Sequence, residues 1–171
     1  MFVNKMRLVF LDFDGVVAPL EYGEPRRPVL SDLVDGGIVE FDCGCVAELN
    51  LICDTGRAFI VVSSSWRYAM KDLLTCRAVL HQQGIRAPVI GMTETFPEYG
   101  GKEMSRWYEI KRYLMGIDDL ESFVILDDCD MGFSEVKLRW VKTSLTTGLT
   151  RRDAVAALAI LETPLSGIVY G

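Results

Sequence analysis

The residues best suited to chemistry are two pairs of aspartates, each placed directly after a run of apolar residues. Asp12 and Asp14 follow the run MRLVFL, and Asp127 with Asp128 follows SFVIL. Four carboxylates brought together would repel one another strongly unless a cation lay among them. A hard divalent cation with oxygen ligands, Mg²⁺ above all, resolves that repulsion. The pairs therefore predict a magnesium site, provided that the fold unites them.

Two further sequence features lie close to apolar runs of this kind. Gly15 follows Asp14 and permits a sharp turn, so that one carboxylate and one backbone carbonyl can reach the same ion. A second carboxylate would then reach across the site. Three serines, Ser63 to Ser65, follow another apolar run, AFIVV, and form a third polar cluster.

The elements that must position these clusters alternate along the chain. Short apolar runs predict strands at 6–12, 58–62, 88–92, 122–126 and 139–143. Amphipathic segments predict helices from an N-cap at Asp42 to about Gly56, over 66–83, over about 105–115 and over 151–162. This alternation is typical of an α/β protein, a Rossmann-like three-layer α/β/α sandwich with a central, mainly parallel five-stranded sheet. In such sheets the ligand site lies beyond the carboxyl ends of the strands, where the polar clusters fall.

The length and composition fit a single domain over residues 1–171. Residues 16–37 contain prolines and a Gly36-Gly37 pair, which predict an irregular flap. The net charge of −6 disfavours a strong nucleic-acid-binding surface but still allows a nucleotide-like substrate to bind locally. No apolar run approaches the roughly 20 residues that span a bilayer, and five scattered cysteines indicate reduced thiols and a cytoplasmic location.

Three segments resemble motifs of the haloacid-dehalogenase-type (HAD) phosphatase superfamily. They are LDFDGVV, VVSSSWR and VILDD, which look like its motifs I, II and IV. The longer stretches FDCGCVAELNLICDTGRAFIVVSSSWR, RWYEIKRYL and RWVKTSLTTGLTRRDA resemble one subgroup, the small phosphatase-like domains associated with RNA-repair proteins. The resemblance runs over nearly the whole chain, and the DxDG motif combined with the DD strand end is its most specific part.

The resemblance implies roles for the aspartates in a Mg²⁺-dependent phosphomonoester hydrolase. Asp12 would be the nucleophile that forms an aspartyl-phosphate, and it would also bind the metal. Asp14 would act as general acid and then as general base, and its carbonyl would ligate the metal. Asp128 would be the third protein ligand, and Asp127 beside it would either support the ligands through hydrogen bonds or bind the metal through a water molecule.

The remaining site residues leave alternatives open. Ser63 fits best the hydroxyl that holds a phosphate oxygen, and Ser64 is the runner-up. One cation must neutralise phosphoryl charge, and Arg106 matches the subgroup better than Lys102, which follows Gly100-Gly101. Arg67 would either bind a second anionic group of the substrate or pair with an acidic neighbour. Trp66 would either stack on the substrate or pack in the core.

The substrate is less well determined than the reaction. Members of the superfamily usually owe their specificity to an inserted cap, and the flap leaves only roughly 20 residues for one. A nearly capless site suits a small phosphorylated molecule, a nucleotide or a nucleic-acid end, and the oligomeric state is left open. The alternatives to a phosphatase are a phosphotransferase and a non-catalytic module that binds phosphate or metal.

Overall fold

The computed structural model describes residues 5–20, 40–96 and 105–165, and they build one five-stranded sheet. The strands are β1 (Met6–Leu11), β2 (Phe59–Val62), β3 (Val89–Met92), β4 (Leu120–Asp127) and β5 (Trp140–Lys142). Their order across the sheet is β3-β2-β1-β4-β5, and all four pairings are parallel. The predicted fold class and all five predicted strands are confirmed, with boundaries shifted by one or two residues.

Strand β1 lies at the centre of the sheet and is apolar on both faces. Leu8 and Phe10 belong to one buried cluster, and Val9 and Leu11 belong to the other. Successive side chains of a strand point to opposite faces, so an uninterrupted apolar run is what a strand covered on both sides requires. The run that predicted the strand therefore also predicted its burial.

Four helices cover the two faces. They are α1 (Cys43–Gly56), α2 (Leu73–Gln82), α3 (Arg106–Leu114) and α4 (Arg151–Leu161). Helices α1, α2 and α4 pack on the face of Val9 and Leu11. Helix α3 and a 3₁₀ segment, Phe133–Arg139, pack on the face of Leu8 and Phe10. The result is the three-layer sandwich that the sequence predicts.

The helix predicted over 66–83 is wrong in its first third. The structure has a short 3₁₀ helix, Ser65–Tyr68, and α2 begins only at Leu73. The side chain of Asp72 accepts a hydrogen bond from the backbone N–H of Thr75 and so caps the start of α2. Tertiary contacts of the 3₁₀ helix, described below, outweigh the helical pattern of this segment.

Several predictions fall partly or wholly beyond the described residues. Residues 16–18 of the predicted flap form a buried turn, with Val16 and Val17 fully buried, so this part is not a flap. Residues 21–37 of the flap and Lys102 lie outside the described residues. The single-domain prediction stays a prediction. Within the described residues, no helix is both long and apolar enough to cross a membrane.

Candidate active site

The polar clusters meet at the carboxyl edge of the sheet. Asp12 follows β1, Ser63 follows β2, and Asp127 is the last residue of β4. The backbone N–H of Asp12 donates to Leu126 O at 3.0 Å, and that of Ser63 donates to Leu11 O at 3.0 Å. These bonds extend the parallel ladders by one step, and they bring the three side chains together from neighbouring strands.

A tight turn after Asp12 brings Asp14 back toward the same edge. Gly15 has a φ of +65°, and a Cβ at this position would lie 2.7 Å from the Cβ of Asp128. Any residue with a side chain would therefore be strained and would collide with Asp128. The hydroxyl of Thr143 donates to the carbonyl of Gly15 at 2.6 Å and holds the turn in place. The sharp turn predicted at Gly15 is confirmed.

The carboxylates of Asp12, Asp127 and Asp128 form a compact acidic cluster. Each contributes one oxygen, and these oxygens all lie within 4.8 Å of one another. Burial raises the pKa of Asp14 to about 6, and it also raises the pKa of Asp127 and of Asp128. Burial thus disfavours the charged forms of these carboxyl groups, and a bound cation would offset that cost.

The aspartates differ in how free their oxygens are to bind Mg²⁺. Both oxygens of Asp127 are engaged by the protein, Oδ1 by the backbone N–H of Cys129 and Oδ2 by Arg106. Asp128 accepts a weak bond from the thiol of Cys129 at 3.4 Å, and Oδ1 of Asp14 is buried without a hydrogen-bond partner among the described residues. Both oxygens of Asp12 are likewise engaged, Oδ1 by the backbone N–H of Phe13 at 2.9 Å and Oδ2 by Arg106. Asp128 is therefore the best candidate for a direct ligand on this geometry, whereas the resemblance alone implies Asp12 as a ligand and Asp127 in an outer role.

Arg106 is the first residue of α3 and points into the acidic cluster. Its Nη1 donates to Asp12 Oδ2 at 2.6 Å and also to Asp127 Oδ2. Burial alone would lower the pKa of the guanidinium, but the carboxylates of Asp12 and Asp127 outweigh it and raise that pKa. The structure thus places Arg106 beside the predicted nucleophile, where a cation would also meet phosphoryl oxygens.

The two serine candidates differ in what their hydroxyls contact. Ser64 Oγ accepts a hydrogen bond from the backbone N–H of Trp66 at 3.3 Å and caps the 3₁₀ helix. Ser63 Oγ is buried and has no hydrogen-bond partner among the described residues. An unpaired buried hydroxyl is costly unless a ligand satisfies it, so Ser63 is the better candidate for a phosphate contact.

The predicted contact of Arg67 with substrate is contradicted by its geometry. The guanidinium is buried, with its Nη1 donating to Ser63 O at 2.6 Å and to Ser64 O at 2.7 Å. Its Nε donates to Thr93 O at 3.1 Å, and its Nη2 forms an ion pair with Glu109. Arg67 therefore pairs with an acidic neighbour, the other alternative that the sequence left open, and ties the ends of β2 and β3 to helix α3.

Trp66 packs in the core, as one of its two alternatives predicted. Its ring meets that of Phe13 edge to face, with the centroids 5.4 Å apart. Its Nε1 also donates a hydrogen bond to Asp14 Oδ2 at 2.9 Å, a contact that the sequence did not predict. Glu109 was missed as well, although an acid one turn after Arg106 in the basic segment RWYEIKRYL is a detectable signal.

The buried ion pair between Arg67 and Glu109 leads to a prediction on stability. We expect Arg67→Met to lower the free energy of unfolding by about 3–5 kcal/mol, because the substitution leaves the carboxylate of Glu109 buried without its partner. Denaturant unfolding, followed by circular dichroism, measures the change.

The exposed pair of Arg86 and Asp54 provides the matched control, since their side chains are 66% and 55% exposed. Arg86→Met should change stability by about 0–1 kcal/mol. The double variant Arg67→Met/Glu109→Leu should lose less than Arg67→Met alone, because no charge is left buried and unpaired. Equal losses in Arg67→Met and Arg86→Met would contradict this assignment.

The all-parallel sheet, with aspartates after β1 and β4 and a serine after β2, defines a HAD-type domain. Comparison with family models supports this assignment with a match over residues 8–154. The matching family is described as the HAD domain in Swiss Army Knife RNA repair proteins, and the chain belongs to it. Searches of curated proteins and of solved structures gave no significant match.

Proposed function

We propose that this protein is a Mg²⁺-dependent phosphomonoester hydrolase that acts through an aspartyl-phosphate on Asp12. The observation that carries the proposal is the contact between Arg106 and Asp12, a member of the acidic cluster. A carboxylate held beside a cation, a cluster of metal-binding acids and an unpaired buried hydroxyl is the set of groups that phosphoryl transfer requires.

In the first step, a carboxylate oxygen of Asp12 attacks phosphorus and forms a new P–O bond. The bond from phosphorus to the leaving oxygen breaks, and Asp14 donates its proton to that oxygen. A pKa of about 6, raised by burial, keeps part of the Asp14 population protonated near neutral pH. Arg106 and the hydroxyl of Ser63 would hold the phosphoryl oxygens and spread their charge.

In the second step, water attacks the phosphorus of the aspartyl-phosphate. Asp14, now a carboxylate, accepts a proton from the water, and the bond between phosphorus and Asp12 breaks. Inorganic phosphate leaves, and both aspartates return to their starting states. If an alcohol replaced water here, the same residues would carry out a phosphotransfer.

Asp12 and Asp128, with the carbonyl of Asp14, are the groups that would hold Mg²⁺. When bound, the ion would neutralise phosphoryl charge. We expect Mg²⁺ at 100 times its dissociation constant to stabilise the protein by about 2.7 kcal/mol, which thermal unfolding measures.

Asp128→Asn tests the ligand assignment in the same measurement. It should remove most of the stabilisation by Mg²⁺ without destabilising the metal-free protein, because burial already disfavours the Asp128 carboxylate. The exposed Asp54→Asn is the matched control and should respond to Mg²⁺ like the wild type. A full Mg²⁺ response in Asp128→Asn would overturn the assignment.

The substrate class that we propose is a phosphorylated RNA end, because family membership favours it. Two exposed aromatic rings support the idea, Tyr68 in the 3₁₀ helix after β2 and Tyr108 in the first turn of α3. Exposed rings of this kind can stack on unpaired bases. The net charge of −6 opposes contacts with a long nucleic acid, so recognition would be confined to the terminal nucleotides.

Two assays test these proposals in sequence. Hydrolysis of p-nitrophenyl phosphate with Mg²⁺, and its loss on adding EDTA, separates an enzyme from a non-catalytic module. A panel of nucleotides, sugar phosphates and oligonucleotides with 3′- or 5′-phosphates then gives the ranking of kcat/KM values. An RNA end should rank first, and a sugar phosphate ranking first would contradict the substrate proposal.

We also propose a cytoplasmic location for this activity. All five cysteines have free thiols, and Cys45, Cys53 and Cys76 are buried. A reducing compartment keeps such thiols unmodified.

A further inference from the structure

The two oxygens of the Asp14 carboxyl group have different surroundings. Oδ2 accepts the hydrogen bond from Trp66 Nε1 at 2.9 Å. Oδ1 is buried and has no hydrogen-bond partner among the described residues. An indole N–H can only donate, so it favours the form of the acid in which Oδ2 is the accepting oxygen. The proton of the carboxylic acid then lies on Oδ1.

The donor itself is held rigidly. The ring of Trp66 is 3% exposed and packs edge to face on Phe13 and at a tilt of 53° on Phe41. Its backbone N–H donates to Ser64 Oγ. Phe13 lies between Asp12 and Asp14 in the chain, so this packing links the indole to the segment that carries both aspartates. The indole can therefore fix the orientation of the Asp14 carboxyl group.

We propose that Trp66 is a positioning residue that fixes the Asp14 carboxyl group so that Oδ1 delivers the proton to the leaving oxygen. This inference rests on the proposed phosphatase function and assigns a role to a residue outside the acidic cluster. As the P–O bond breaks, its electron pair stays on the leaving oxygen, and the proton of Oδ1 moves to that oxygen. The negative charge left on Asp14 is then stabilised by the indole N–H on Oδ2.

Two substrates whose leaving groups differ in basicity can distinguish a positioning role of Trp66 from general structural damage in the variant. An alkyl phosphate needs protonation of its leaving oxygen, whereas 2,4-dinitrophenyl phosphate releases a stable anion without it. Trp66→Phe keeps an apolar ring but removes the N–H. We expect this variant to lose roughly 10- to 100-fold in kcat/KM on the alkyl phosphate, because kcat/KM reports the transfer to Asp12 and not the later attack of water, which is common to both substrates. On the dinitrophenyl ester the loss should stay within about threefold, because proton delivery contributes little there.

Two other substitutions provide a positive and a negative control for this result. Asp14→Asn should show the same selectivity with a larger loss on the alkyl phosphate. Trp107→Phe removes another buried indole N–H, which donates to Glu135 Oε2 at 3.0 Å. The ring of Trp107 packs on the face of the sheet opposite to that of Trp66. The Trp107→Phe variant should keep the wild-type ratio of the kcat/KM values for the two esters, whatever the effect of the substitution on stability. If Trp66→Phe does not fold by circular dichroism, benzothienylalanine at position 66 removes the N–H and retains the shape of the indole.

The outcomes distinguish this inference from the proposed function. Equal losses on both substrates, or no loss on either, would overturn the role of Trp66 while leaving the phosphatase proposal intact. A wild-type protein that hydrolyses neither ester with Mg²⁺ present would refute the proposed function, and the role of Trp66 would fall with it. Selective loss in Trp66→Phe, with the wild-type ratio in Trp107→Phe, would support both.

Discussion

Replacing Asp12 with asparagine should lower phosphatase kcat by at least roughly 10³-fold, the largest effect that we expect from any single change. The amide has nearly the shape of the carboxylate but is a far weaker nucleophile, so the covalent step fails. Asp12 is buried at the end of β1, and its Oδ2 contacts Arg106. Steady-state hydrolysis of p-nitrophenyl phosphate with Mg²⁺ measures the loss.

Folding of this variant should be retained, because Arg106 keeps its second partner, Asp127. The matched control is Asp54→Asn, the same chemical change at an exposed position, which should keep wild-type kcat. An Asp12→Asn protein that is folded and hydrolyses the ester at the wild-type rate would remove Asp12 from the mechanism.

The second large effect concerns Arg106. We expect Arg106→Leu to lower kcat by roughly 10²- to 10³-fold, because a positive donor beside the transferred phosphoryl group is lost. The substitution also leaves Asp12 and Asp127 without the guanidinium nitrogen that they share. Since a single nitrogen bridges both carboxylates, an ammonium group can replace part of this contact. Arg106→Lys should therefore retain much more activity than Arg106→Leu.

Two substitutions complete this test with the same kinetic assay. Arg112→Leu alters a basic residue near the end of the same helix and should leave kcat close to that of the wild type. Lys102→Ala tests the alternative cation, and we expect it to lose less than Arg106→Leu. A larger loss in Lys102→Ala than in Arg106→Leu would reverse the assignment of the two residues.

The parts of the site carried by the strands were predictable from the sequence. Asp12, Ser63 and Asp127 each come directly after an apolar run, and parallel strands bring their carboxyl ends to one edge of the sheet. Gly15 signalled the turn because its positive φ and its approach to Asp128 demand glycine. For these residues, local pattern and global topology lead to the same position.

The parts that depend on side-chain contacts between distant segments were not predictable. The pattern over 66–83 favours one helix, but Arg67 donates to carbonyls of the preceding loop and pairs with Glu109, 42 positions away in the chain. Trp66 contacts Asp14 across 52 positions. No local propensity encodes such partners, so the sequence left Arg67 and Trp66 with two alternatives each.

Trapping the covalent intermediate tests the central proposal most directly. Wild-type protein would be mixed with Mg²⁺ and substrate, quenched within one turnover and treated with borohydride, which reduces an aspartyl-phosphate to homoserine. Peptide mass spectrometry should then find homoserine at position 12 in the wild type and none in Asp12→Asn. Turnover by the wild type with unmodified aspartate at position 12, or with homoserine at position 14, would contradict Asp12 as the nucleophile.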